Sequence, residues 1–102
     1  MKRCVLWSPT ARGDLVAITR HIAADNPSAA RVVAAKLRAV GEALGQAATG
    51  RPGRVEGTYE KSVSGLPYIL AYDLLTREGQ EIVAILHVIH TARDWPPGEW
   101  PA

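Results

Sequence analysis

The chain has 102 residues, with 12 Lys and Arg against 10 Asp and Glu, a net charge of +2 and 47% hydrophobic residues. That length fits one domain, 1–102, and leaves no room for a second core. No stretch approaches the roughly 20 apolar residues of a membrane span, a lone Cys4 excludes an internal disulfide, and Cys4, His21, His87 and His90 lack the spacing of a zinc site.

Met1-Lys2-Arg3 is basic, but Cys4–Trp7 is too short for a signal-peptide core and runs into Ser8-Pro9. A reducing cytoplasm is therefore expected, with no cofactor and no metal. The charge is uneven: residues 1–54 carry nine Lys/Arg and three Asp/Glu, residues 55–102 three and seven. Such a dipole suits a specific partner better than generic or sequence-specific nucleic-acid binding, which needs one contiguous basic face.

Lys2–Trp7 is predicted as a short strand, with Cys4 as a small core residue. Ser8-Pro9 then starts a helix: Ser8 accepts an orphan N–H as N-cap, and Pro9 loses nothing at the first helical position. Ala11, Leu15, Ile18 and Ile22 recur at helical spacing and make one face. Asp25-Asn26-Pro27 repeats the capping chemistry, and Val33, Leu37, Val40 and Leu44 form the stripe of a second helix, broken at Gly50–Gly53. Two amphipathic helices so closely joined make an antiparallel hairpin that needs a surface to cover.

Strands follow. Thr58–Val63 is partly polar and suits a sheet edge. Tyr68–Tyr72 is stronger and opens after Pro67, a residue tolerated at a strand start. Thr76–Gly79 makes a turn, and the apolar Glu81–His90 suits an interior position. Alternation puts Ile82, Ala84, Leu86, Val88 and His90 on one face, and Val83, Ile85, His87 and Ile89 on the other. His87 and His90, three apart, face opposite sides. Residues 95–102 (Trp95-Pro96-Pro97-Gly98-Glu99-Trp100-Pro101-Ala102) form a Pro- and Trp-rich tail. The fold class is α+β, in the order β-α-α-β-β-β, with a helical hairpin on one face of a small, mainly antiparallel sheet.

Four stretches together resemble the RelE/ParE superfamily of type II toxin–antitoxin toxins. They are Trp7-Ser8-Pro9-Thr10-Ala11 with Asp14-Leu15, Ile22–Pro27 with Ala29-Ala30, Gly53–Glu60, and Pro67-Tyr68 followed by Ile85–Pro96. The resemblance implies a small cytoplasmic toxin held inactive by a cognate ParD-like antitoxin. RelE-like members cleave mRNA on the ribosome, and ParE-like members poison DNA gyrase. Metal-free RNA cleavage needs a base for the 2′-OH, an acid for the leaving oxygen and cations for the developing charge. The Tyr68–Leu74 strand has no Lys or Arg, and no Tyr follows Tyr72.

Only Arg54, Lys61, His90 and Arg93 remain as a sparse catalytic set for a ribonuclease. Pro67-Tyr68 and Arg93-Asp94-Trp95-Pro96 resemble the ParE-like branch instead, which inhibits gyrase by binding. Many ParE-like chains read Gly-Thr-Arg-Glu where this one has Gly57-Thr58-Tyr59-Glu60. For that branch the expected target-contacting residues are His90, Arg93, Trp95 and Tyr68. The antitoxin is expected on the helices at Leu15, Ile18, Ile22, Val33 and Leu37, with extended chain added near the polar sheet edge.

Overall fold

The computed structural model describes residues 3–92. The elements run β1 (Cys4–Trp7), α1 (Pro9–Ala23), α2 (Pro27–Ala43), β2 (Arg51–Pro52), β3 (Tyr59–Ser62), β4 (Tyr68–Arg77) and β5 (Gln80–His90). Both helix starts form as their sequences dictate. Ser8 and Asn26 hold extended backbone and accept the N–H groups of Ala11 and Ala29, with Pro9 and Pro27 at the head of each helix. Each cap contributes about 1 kcal/mol. The second helix ends at Ala43, well before the glycines at Gly50 and Gly53 that were expected to stop it. Where α2 ends, Gly41 lets it approach the sheet: a Cβ there would lie 2.4 Å from Cζ2 of Trp7.

The sheet has the order β1-β5-β4-β3-β2, with β1 parallel to β5 and every other pair antiparallel. The α+β expectation therefore holds, with β5 interior between β1 and β4. The strand at Thr58–Val63 is not outermost, because the two-residue β2 pairs with it through Arg51 and Pro52. No periodic signal marks so short a strand. β4 extends to Arg77, further than its apolar run, and closes onto β5 through Glu78 (φ 53°) and Gly79 (φ 78°). Two successive positive φ values match the twist of the strands they join.

The hairpin packs on one face of this sheet. Leu15 and Leu37 meet Tyr68, Leu70 and Val88 in one cluster, while Ala11 and Leu44 meet Tyr72, Val83 and Ile85 in another. Truncating Leu37, which is fully buried, would cost about 2–5 kcal/mol. The expected alternation of β5 is corrected at its middle. Ala71 pairs with His87 and Tyr72 with Ile85, so Leu86 is an extra residue. Across that bulge the faces exchange. Val83 and Ile85 join Val88 and His90 on the helix side, and Ile82 joins His87 and Ile89 on the other.

Cys4 is also corrected: it is exposed, not core. In β1 it is Val5 and Trp7 that pack beneath the helices, so Cys4 and Leu6 face the other side of the sheet. Among the described residues no helix is long and apolar enough to cross a membrane.

Candidate functional site

Beyond Trp7, β1 stops and β5 continues alone, and the start of α1 finishes the exposed edge. Ser8 N–H donates to the Ile85 carbonyl at 2.9 Å. Ser8 Oγ, which already accepts Ala11 N–H, donates to the Leu86 carbonyl at 2.9 Å. Asp14 Oδ2 accepts the Val88 N–H at 3.0 Å and lies 3.7 Å from His87 Nδ1. The N-cap Ser8 and, within α1, Asp14 thus serve the bulged backbone that a neighbouring strand would otherwise satisfy.

Past Asp14 a groove of about 360 Å³ opens between α1 and the end of β5. Ala17, Ile18 and Val88 give it apolar walls, and Asp14, His21, Tyr68 and His90 supply its polar groups. Tyr68 and His90 are paired in register, with ring centroids 5.3 Å apart in an edge-on contact. His90 is exposed, and its Nδ1 accepts the N–H of Ala92. Two of the expected target contacts, Tyr68 and His90, are therefore neighbours. Arg93 and Trp95, together with the tail, lie outside the described residues.

The expected catalytic set is divided by the sheet. Lys61 pairs with Leu70, and Leu70 with Val88, which puts Lys61 on the helix side with His90. Glu60 pairs with Ala71 and Ala71 with His87, on the opposite side. Arg54 goes with Glu60. Its Nε and Nη2 donate to the carboxylate at 2.9 and 3.3 Å, and its backbone N–H donates at 2.8 Å. Arg51 adds a longer contact at 3.7 Å. Burial opposes ionisation of Glu60, but the hydrogen bonds and charge of Arg54, with Arg51 beyond, outweigh it and hold the carboxyl below its ordinary range. Across β3, the Tyr72 ring stacks on Tyr59 and its hydroxyl donates to the Thr49 carbonyl at 2.6 Å. Burial pushes the Tyr72 phenol up, which keeps it a donor rather than a base.

Of the residues expected to meet an antitoxin, Leu15 and Leu37 are corrected: at 7% and 0% exposure they belong to the core. Their stripe faces the sheet. Ile18, Ile22 and Val33 are half-buried at its margins. What the sequence pattern missed is Asp14 as a backbone partner and Glu60 as the acceptor for Arg54. Asp14 had a signal, a carboxylate one and a half turns into a helix that follows a very short strand; Glu60 had none. Among the described residues no group of three His, Cys, Asp or Glu is placed to hold a metal ion.

Residues 5–95 match the family described as the ParE toxin of type II toxin–antitoxin system, parDE. A curated relative, "Putative toxin Y4kP" of Sinorhizobium fredii (strain NBRC 101917 / NGR234), is 34% identical over 96 residues, covering 93% of this chain and 95% of the relative. The chain belongs to the ParE toxin family of type II toxin–antitoxin systems. A solved structure titled "Chromosomal ParDE TA system from P. aeruginosa" shares the fold, with a TM-score of 0.77 at 22% identity over 87% of this chain and 96% of that one.

Proposed function

We propose that this toxin acts in the cytoplasm by binding DNA gyrase and arresting it on DNA, and that a cognate ParD-like antitoxin neutralises it. Family membership supports a toxin with a partner. The observation that carries the binding reading over mRNA cleavage is the division of the candidate catalytic groups. Lys61 and His90 lie on one sheet face, while Arg54 is engaged by the Glu60 carboxylate on the other. General acid–base cleavage needs its groups within hydrogen-bond reach of one phosphodiester. Of the expected target contacts, exposed His90 at the open end of the α1–β5 groove is the one we assign to the target; Tyr68, at 8% exposure, is corrected to a core residue that supports the His90 ring.

The test is a supercoiling assay with purified gyrase and purified chain. Inhibition with accumulated cleaved DNA is expected, and unaffected supercoiling at saturating toxin rejects the reading. Translating ribosomes supplied with the same protein should yield intact mRNA.

A further inference from the structure

Asp14 uses one of its two oxygens to hold the fold. Oδ2 accepts the Val88 N–H at 3.0 Å, and the same Oδ2 lies 3.7 Å from His87 Nδ1. Among the described residues no hydrogen bond reaches Oδ1. The side chain is 30% exposed and lines the α1–β5 groove. Satisfying Val88 takes a single acceptor, so the second oxygen is available to a group from outside the chain.

The rest of the groove has a definite chemistry. No Lys or Arg lines it, so with the histidines neutral Asp14 supplies the one formal charge among the lining residues. The hollows on the α1–α2 side are rimmed by Arg12, Arg20 and Arg38 instead. Ala17, Ile18 and Val88 flank the carboxylate with apolar surface, and such walls strengthen a charge contact made between them. His90 Nδ1 accepts the Ala92 N–H, so its neutral ring carries the proton on Nε2 and presents a flat face. An anionic ligand would meet Asp14 at like sign. A wholly apolar one would strip water from the carboxylate and give nothing back. What fits is a cation on an apolar stem.

We infer that the groove is a socket for one arginine side chain of the target protein, its guanidinium bound to Asp14 Oδ1. The inference rests on the gyrase-binding reading above and names the group that this surface of the toxin grips. The methylenes of the arginine lie along Ala17, Ile18 and Val88, as long basic side chains do on apolar surface. Its planar head donates to the carboxylate and stacks beside the His90 ring. A lysine fits less well, because its compact ammonium holds water more strongly and has no flat face to set against an imidazole.

Asp14→Asn is the deciding variant, because its amide oxygen can still accept the Val88 N–H while the charge is gone. Asp25→Asn makes the same change at an exposed aspartate outside the groove. In the gyrase supercoiling assay with the full chain, Asp14→Asn is expected to lose potency at least about tenfold, and Asp25→Asn less than about twofold. Circular dichroism and slow exchange of the Val88 amide establish that the variant keeps its fold and that bond. A second arm needs no gyrase: the full chain is titrated by NMR with N-acetyl-arginine amide, with its neutral isostere N-acetyl-citrulline amide, and with N-acetyl-lysine amide. The arginine probe should shift the Val88 amide and His90 ring signals and bind at least about fivefold tighter than either other probe. That preference should vanish in Asp14→Asn. Should Asp14→Asn lose the Val88 bond, the probe titrations of the unsubstituted chain decide alone. Equal potency of Asp14→Asn and parent, or equal binding of the arginine and citrulline probes, overturns the inference and leaves the gyrase reading intact. A preference for the lysine probe overturns the arginine assignment. An Asp14→Asn chain that still inhibits gyrase but loses its antitoxin assigns the socket to the antitoxin and also overturns the inference. A parent chain that leaves gyrase untouched rejects the gyrase reading and the inference together.

Discussion

Asp14 accepts the Val88 N–H at 3.0 Å across 74 positions of sequence, completing the β5 edge where β1 has run out. The pairing ties the first turns of α1 to the last strand. It also sets the height of the groove that opens at His90. Asp14→Ala leaves a half-buried N–H without its charged acceptor and is expected to lower stability by about 2 kcal/mol. Urea denaturation measures this, and the Val88 amide should exchange faster. Asp14→Asn keeps an acceptor and should cost less than half as much.

Glu60 gives a pH dependence whose sign is fixed. Its carboxyl is held below the ordinary 4.5 in the folded chain, so its ion pair with Arg54 stabilises the fold at pH above that value. The contribution is lost as pH falls through the lowered folded value. Glu60→Gln should cost about 2 kcal/mol at pH 7. The gap between variant and parent should close on acidification, as followed by thermal melts from pH 7 downward.

Two glycines in helices should answer the same substitution oppositely. Gly13 has open space where a Cβ would stand, so Gly13→Ala is expected to add about 1 kcal/mol of helix stability and raise Tm by roughly 4–8 °C. At Gly41 the added carbon meets Trp7 Cζ2 at 2.4 Å and Ile85 Cδ1 at 2.9 Å. Gly41→Ala should therefore destabilise by about 1–3 kcal/mol despite its better propensity.

His90 offers a functional prediction. It is exposed and its neighbours are the Tyr68 ring and the Ala92 N–H, so His90→Ala should change Tm by no more than a few degrees. Gyrase inhibition by the purified variant is expected to fall at least about tenfold, the effect of losing one interface contact of about 1.4 kcal/mol. Equal potency of variant and parent removes His90 from the target surface.

The parts of this molecule legible in the sequence are those with local physical causes. Ser8-Pro9 and Asn26-Pro27 fix both helix starts through side-chain capping, and the apolar spacing of each helix places its buried stripe. The parts that escaped depend on contacts distant in sequence. α2 ends at Ala43 with Leu44 as its cap, and the glycine that marks the stop is Gly45, where a Cβ would meet the Arg3 carbonyl at 2.7 Å, rather than the later Gly50 and Gly53. The Leu86 bulge exists because Ser8 and Asp14, from another element, satisfy the backbone around it. The same cause explains the candidate site. Periodicity identified Leu15 and Leu37 as one apolar face each, but cannot say whether that face meets a partner or the chain's own sheet. Arg54 has the composition of a phosphate contact; only the fold reveals that Glu60 engages it.

The parallel pairing of β1 with β5 also sets a timetable. Cys4 lies against Ile82 and Trp7 against Ile85, so the first strand made must wait for the last one before it has anywhere to dock. Chain closure over so many residues is slow compared with forming the helical hairpin. A polypeptide still emerging from its own ribosome therefore carries finished helices without a finished sheet. The sheet, and every surface that depends on it, is complete only once β5 has been made and has closed against β1.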